Sequence, residues 1–324
     1  MNSLRSYISG TGSYLPANVV TNDDLAQRVD TSDEWIYART GIRQRYFADQ
    51  NESTSDLAER AAIAAISDAH LTPSDIGLIV VATTTPTHTF PSVATGLQRR
   101  LNTPVCPAFD IQAVCAGFSY ALDVADKYVK SGVAKHALVV GAECMSKLLN
   151  WEDRNTCVLF GDGAGAVVLS ARDDHEGIIA SRLFADGQYK ELLWVPNGPS
   201  WKKSADPADN YMQMKGSEVF KVAVSQLRDL VAQVLEDSPY QTGDIDKLVP
   251  HQANIRIIKS VAEKLKLPME KVVTTVDKHA NTSAASVPLA LDDAVKSGQI
   301  QRGDLIFMEA FGGGFAWGGA LVRF

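Results

Sequence analysis

The chain has 324 residues, 45% of them hydrophobic, enough to bury a large core and to build two domain-sized units. With 31 Lys and Arg against 38 Asp and Glu the net charge is −7 and the pI near 5.4, which excludes a general nucleic-acid or membrane-surface binder, because phosphate-rich partners demand surplus cations. Four cysteines without paired metal-ligand spacing, no run near the roughly 18 apolar residues that span a bilayer, and a start (Met1-Asn2-Ser3-Leu4-Arg5) unlike a signal peptide predict a reduced, cytoplasmic protein with no metal and no membrane.

Residues 4 to 14 read as a strand-like run with a Gly10-Thr11-Gly12 turn. Asp23 to Val29 reads as a short helix capped by Thr21 or Asn22, and Thr31 or Ser32 with Glu34 resembles a capping box that begins another. An alanine-rich helix covers Asp56 to Ala69, and Asp75 to Ala82 is a continuous apolar strand, the pattern of a sheet covered on both faces. At Phe109 to Phe118 an apolar extended run meets Cys115 at the mouth of a helix. Phe118, Ala121, Leu122, Ala125 and Val129 recur there at helical spacing until Ser131-Gly132 ends it. Cys115 is the candidate nucleophile: free backbone N–H groups at a helix N-terminus carry roughly half a positive charge, which predicts a lowered thiol pKa and a thiolate. Cys106, Cys144 and Cys157 lie in or beside apolar runs and read as core or surface thiols.

Strands alternating with helices make the class α/β. The second half echoes the first in order. Asp75-Ile76 before an apolar strand recurs as Asp244-Ile245, and Val129-Lys130-Ser131-Gly132 recurs as Val295-Lys296-Ser297-Gly298, a shift of 295 − 129 = 166. Gly165-Ala166-Val167-Val168 likewise matches Gly319-Ala320-Leu321-Val322. Two pseudo-symmetric halves are expected, 1–172 with the cysteine and 173–324, joined at the polar stretch Asp173-Asp174-His175-Glu176-Gly177. The shift carries Cys115 to Asn281, so these two should head equivalent helices that face a common centre. His251 follows the strand Leu248-Val249, at the end where α/β folds place ligand chemistry. The glycines of Glu309 to Phe315 would let backbone N–H groups approach the same point, giving thiol, imidazole, amide and oxyanion-type donors. His88, His136, His175 and His279 read as packing or surface histidines.

Seven motifs run nearly end to end: Gly10-Thr11-Gly12-Ser13-Tyr14-Leu15-Pro16; Asp33-Glu34-Trp35-Ile36 with Thr40-Gly41-Ile42-Arg43; Cys115-Ala116-Gly117-Phe118; Phe160-Gly161-Asp162-Gly163-Ala164-Gly165; Pro250-His251-Gln252-Ala253-Asn254; Asn281-Thr282-Ser283-Ala284-Ala285-Ser286; and Phe311-Gly312-Gly313-Gly314. Together they closely resemble β-ketoacyl-acyl carrier protein synthase III, the initiating condensing enzyme of dissociated fatty acid synthesis. The resemblance implies a thiolase-like fold with mixed sheets and central helices, layered αβαβα, and a homodimer. It also implies that Cys115 takes an acyl group from acyl-CoA and that the acyl-enzyme condenses with malonyl-acyl carrier protein with loss of carbon dioxide, without a cofactor. By the same resemblance the N–H groups of Cys115 and Gly313 form the oxyanion hole, and His251 with Asn281 stabilises the enolate. Trp35 and Arg154 stand where the family sandwiches the adenine of CoA, with Thr31, Arg39, Ser217 and Asn254 at other CoA contacts. Lys221 and Arg256 match carrier-protein docking residues, and Phe90 and Phe160 match acyl-pocket residues, Phe90 crossing to the partner's pocket.

The chain departs from the family pattern at Ser217, where Asn is common, at Glu263, where a docking Lys is common, leaving Lys259, Lys264 and Lys266 to serve, and at Ala280, where Gly usually precedes the catalytic Asn. Leu148 to Glu152 is also unusual. The alternatives are a related condensing enzyme with another acyl donor or acceptor, a cysteine hydrolase and a non-enzymatic CoA-binding protein. The flank of Cys115 lacks the protease-like Cys-Gly-Ser-Cys-Trp, and the Cys, His and Asn set weighs against mere binding.

Overall fold

The computed structural model describes residues 4–173 and 177–324. Two sheets carry the architecture. The first is built from β1 (Arg5–Tyr14), β2 (Leu78–Ala82), β3 (Ala108–Ile111), β4 (His136–Cys144) and β5 (Asp162–Arg172) in the order β1-β5-β4-β2-β3. The second contains β6 (Gly177–Ala185), β7 (Lys247–Pro250), β8 (Leu305–Gly312) and β9 (Ala316–Arg323) in the order β6-β9-β8-β7. A parallel bridge from Leu248 to Val272 stands where β3 stands in the first sheet. The pairings match strand for strand: β1/β5 and β5/β4 are antiparallel and β4/β2 parallel, as β6/β9, β9/β8 and β8/β7 are in the second. The duplication expected from sequence is therefore a duplication of topology.

The helices used below are α1 (Asp33–Thr40), α2 (Thr54–Asp68), α3 (Val93–Leu101), α4 (Gly117–Lys130), α5 (Gly216–Leu235), α6 (Ile255–Lys264) and α7 (Ser286–Lys296). Helices α2 and α3 cover the outer face of the first sheet, α4 and α7 fill the space between the sheets, and α5 with α6 covers the outer face of the second. Three buried apolar clusters fill this αβαβα stack, one beneath each outer helical layer and one around the central helices between the two sheets. Every residue of β2 is buried, which explains its unbroken apolar run, Leu78-Ile79-Val80-Val81-Ala82. The central helices each carry a buried Asp, and these obey the 166-residue shift: Asp126 accepts from Ser6, and Asp292 from Thr11 at 2.7 Å, both on β1.

The structure corrects two expectations. Gly10-Thr11-Gly12 is not a turn but runs within β1, with a bulge between Ile8 and Gly10. Its glycines admit α2: a Cβ would stand 2.4 Å from the Ala69 amide at Gly10 and 2.3 Å from that of Ala65 at Gly12. The second correction concerns register. Helix α4 has 14 residues and α7 has 11, so the helices align by 166 at their C-terminal ends but by 286 − 117 = 169 at their starts. The counterpart of Cys115 is thus Ala284, and Asn281 stands three residues earlier. Of the expected junction from Asp173 to Gly177, residues 174–176, His175 included, lie outside the described residues. Among the described residues no helix is long and apolar enough to cross a membrane.

Candidate active site

A 3-10 turn, Val114–Ala116, carries Cys115 between β3 and α4, and its counterpart Ser283–Ala285 precedes α7. Both turns open on a residue forced to positive φ, Val114 at 48° and Ser283 at 51°. For a β-branched Val this conformation is a genuine outlier, of the kind that surrounding structure must impose. Gly312, the last residue of β8, provides part of that surrounding: a Cβ there would be 2.6 Å from the Cys115 amide and 3.0 Å from that of Ala116. At Gly313 a Cβ would lie 3.6 Å from Val114 Cγ2, so the glycine turn after β8 does bring backbone up to the cysteine turn.

His251 directly follows β7 and donates its backbone N–H to Glu309 O at 2.8 Å. The Gln252 amide next to it donates at 2.7 Å to the hydroxyl of Ser286, the first residue of α7. Asn281 is tied to the segment before β5, through its own N–H to Leu159 O (3.0 Å) and from Gly161 N–H to its carbonyl (2.9 Å). Its Oδ1 accepts from the Ser283 N–H at 2.9 Å, which leaves Nδ2 as the side chain's available donor. The turn Ser283–Ala285 in turn packs against the turn Val114–Ala116 that carries Cys115. The turn from Asn281 to Ser286 therefore draws the elements bearing cysteine, histidine and asparagine to one place.

The electrostatics overturn the thiolate expectation. Burial pushes the Cys115 thiol up to about 12, and the Glu143 carboxylate pushes in the same direction; the nearby Ser283 hydroxyl opposes both. The helix N-terminus acts on a sulfur that is out of water, and desolvation wins. Burial also drives the His251 imidazole down to about 3, so it is neutral, and its Nδ1 has no partner among the described residues. Ser283 and Glu143 were missed as site residues. The signal for Glu143 was present, an acid inside the apolar run Ala137 to Cys144, which a buried strand tolerates only with a dedicated set of partners.

The other sequence-selected residues fall into separate groups. Arg39 and Arg154 both rest on Trp35, at 4.3 and 5.1 Å from its ring centroid, and Arg154 also donates to Asp30 O at 2.7 Å. Thr31 lies just before α1 with its hydroxyl unpartnered among the described residues. Asn254 caps α6, its Oδ1 accepting from Arg256 N–H at 2.8 Å and its Nδ2 donating to Arg39 O at 3.2 Å. Ser217 is exposed in the first turn of α5. Lys221 lines a groove with Phe220, Glu263 and Lys264, and Arg256 lies over the Phe220 ring at 5.5 Å. Phe90 is 84% exposed, whereas Phe160 is buried and forms a bridge to Asn281. A cavity of about 730 Å³ opens beside Val114 and Gly313, with Met145, Leu148, Leu193 and Met212 in its wall. Neither Phe90 nor Phe160 lines it. Among the described residues no group of three or more His, Cys, Asp or Glu is placed to hold a metal ion.

Residues 109–187 match the family profile described as 3-oxoacyl-[acyl-carrier-protein] synthase III, and residues 235–324 match its C-terminal profile. The chain belongs to the 3-oxoacyl-acyl carrier protein synthase III family. A β-ketoacyl-acyl carrier protein synthase III of Neisseria gonorrhoeae is 59% identical over 319 residues, 98% of each chain. One from Erythrobacter litoralis is 56% identical over 324 residues, 99% of this chain and all of its own. The crystal structure of the Aquifex aeolicus synthase III superposes with a TM-score of 0.92 at 49% identity, covering 98% of this chain and 100% of that one. The fold of this synthase III family member is thus the thiolase-like fold that its motifs implied.

Proposed function

We propose that the chain condenses an acyl-CoA primer with malonyl-acyl carrier protein, through an acyl-Cys115 intermediate, to give a 3-oxoacyl-acyl carrier protein and begin fatty acid synthesis. The observation that carries the reading is the convergence on the Asn281 to Ser286 turn of a buried thiol, a neutral imidazole and an amide whose free group is a donor.

Attack of the Cys115 sulfur on the thioester carbonyl exchanges one thioester for another at little free-energy cost. The amides of Cys115 and Gly313 receive the tetrahedral oxyanion, each such donor being worth about 3 kcal/mol. The apolar cavity beside Val114 takes the acyl chain, and its volume leaves room for groups longer than acetyl. Loss of carbon dioxide from the malonyl group then leaves an enolate, whose oxygen receives hydrogen bonds from neutral His251 and from Asn281 Nδ2. The enolate carbon attacks the acyl-cysteine, and the Cys115 sulfur leaves. The chemistry needs thioesters and no further cofactor.

Trp35 and Arg154 take the adenine of CoA between them, which requires Arg154 to swing from its place 5.1 Å from the ring. Thr31, Arg39, Ser217 and Asn254 border that entrance. Lys221 and Arg256, around the Phe220 groove, receive the acidic carrier protein. Phe90, 84% exposed, reaches the acyl pocket of a second copy in a homodimer. The halves divide at residues 172 and 173, and the protein works in the cytoplasm. The test is incubation with radiolabelled acetyl-CoA and longer acyl-CoAs: Cys115 becomes labelled and the label passes to malonyl-acyl carrier protein. Absence of label from every acyl-CoA sinks the reading, and transfer only to another acceptor assigns the chain to a different condensing reaction.

A further inference from the structure

Two residues of β4 meet the turn that follows Asn281. Side chains alternate along a strand, so Gly141 and Glu143 point the same way as Ala137 and Val139, toward the central helices. A Cβ at Gly141 would collide with the Ala284 carbonyl, so the strand lies directly against the turn there. Two residues on, the fully buried Glu143 accepts from Ser283 Oγ at 3.1 Å through its Oε1. The offset that relates the two turns, 283 − 114 = 169, also relates Gly312 to Glu143, since 312 − 143 = 169. The second half thus seats the cysteine turn with a glycine, and the first half holds the asparagine turn with an acid.

Glu143 is itself held fast. Thr83 Oγ1 donates to it at 3.2 Å, Thr84 through its N–H at 3.1 Å and its Oγ1 at 2.7 Å, and Thr85 through its N–H at 3.1 Å and its Oγ1 at 2.5 Å. Thr85 Oγ1 also accepts from the Cys144 N–H at 2.9 Å, so its single proton is left for the carboxylate. The acid is therefore anchored within its own half of the molecule, and its bond to Ser283 reaches across to the other.

That bond bears on Asn281 through the backbone. Ser283 stands at φ 51°, a conformation that a residue with a side chain keeps only where its surroundings impose it. With the hydroxyl tied to Glu143, φ sets where the N–H of the same residue points, and it donates to Asn281 Oδ1 at 2.9 Å. An N–H pairs only with the oxygen end of a carboxamide, so this contact decides which end of the amide is presented: Oδ1 is taken and Nδ2 is offered. Were the turn to relax, the amide could turn over and set an oxygen against the enolate oxygen, which repels it.

We propose that Glu143 is a positioning residue for Asn281: acting through Ser283, it holds the turn in the shape that keeps Asn281 Nδ2 aimed at the enolate oxygen. The role rests on the condensing reaction proposed above and belongs to its decarboxylating half, because acylation draws on the amides of Cys115 and Gly313 instead.

The test is Ser283→Ala, which cuts the tie and leaves Glu143 its threonine donors. Two rates are read: release of CoA as the enzyme is acylated, and release of labelled carbon dioxide from malonyl-acyl carrier protein by enzyme acylated beforehand. Carbon dioxide release should slow about 10²-fold, the scale of a misplaced catalytic group, while acylation falls by no more than a few-fold. Glu143→Gln, which sets an NH2 against the N–H donors of Thr84 and Thr85, should split the two rates in the same way. In an Asn281→Ala background, Ser283→Ala should cost nothing further, because the group it positions is gone. A general loosening of the fold would instead slow both half-reactions together and add to the Asn281→Ala loss. Equal losses in the two rates or additive losses overturn the role, and so does unchanged carbon dioxide release in Ser283→Ala; that variant decides alone should Glu143→Gln fail to fold. An unaltered enzyme that is acylated but releases no carbon dioxide refutes the condensing reaction itself and takes the positioning role with it.

Discussion

Gly312 and Cys115 are packed backbone against backbone across 197 positions of sequence (312 − 115), close enough that a methyl group on Gly312 would lie 2.6 Å from the cysteine amide nitrogen. That contact fixes the Cys115 N–H, which the proposed reaction aims at the oxyanion, and it excludes every side chain but hydrogen. Gly312→Ala should therefore displace the Cys115 turn, slowing acylation about 10²-fold or more while destabilising the fold by about 1–3 kcal/mol. Single-turnover release of CoA, with a thermal melt alongside, measures both; acylation within a few-fold of the unaltered enzyme would break the link between contact and oxyanion hole.

Asn281 has one half of its amide engaged and offers the other to the proposed reaction. Its oxygen accepts from Ser283 N–H at 2.9 Å, and its NH2 is free for a substrate oxygen. Asn281→Asp keeps the first job and loses the second. The expected outcome is a folded protein that is acylated at near-normal rate but decarboxylates malonyl-acyl carrier protein about 10²-fold more slowly. Equal losses in the two half-reactions would count against a donor role in the second.

Ala280 occupies φ 57°, ψ −159°, a region that is essentially reserved for glycine. The departure from the family's Gly at this position thus carries backbone strain. Ala280→Gly relieves strain of about 1–3 kcal/mol, against a lost buried methyl and added unfolded-state entropy of smaller size. A rise in stability of about 1 kcal/mol in urea unfolding is expected, with acylation unchanged.

Glu309 has both carboxyl oxygens buried without a partner among the described residues, and burial lifts its pKa from 4.5 to about 8. The native state then holds a proton that the unfolded chain has released between those values, so stability falls as pH rises from about 4.5 to 8, by about 1.4 kcal/mol per pH unit at most. His251 and His279 act on the other side: held at about 3 and about 4, they leave the unfolded chain alone to take up protons, so stability falls as pH drops below 6.5. Glu309→Gln should flatten the upper slope and leave the lower one. Melting temperatures from pH 4 to pH 9 check this, and an unchanged upper slope would mean that Glu309 is not its source.

The three candidate residues that the fold brings together were legible because each sits in a local pattern: a cysteine at a helix mouth, a histidine after an apolar strand, an asparagine ahead of a helix. Register was misjudged because counting back from Val295-Lys296-Ser297-Gly298 assumes equal helices. Helix α7 starts three residues late, after a turn whose geometry depends on Ser283 adopting φ 51° beside the cysteine turn. The ionisation of Cys115 was misjudged for a similar reason. Helix-terminal charge is visible in local sequence, whereas the burial and the Glu143 carboxylate that outweigh it come from other elements.

By itself the sequence determined the α/β class, the duplication and the residue types of the site, since periodicity and local motifs are properties of neighbouring residues. Tertiary structure alone decided the protonation of the site and the tie from Ser283 to Glu143, which spans 140 positions. Those depend on how far each group is removed from water and on which distant dipoles replace it, and that is settled only when the two sheets close on their central helices.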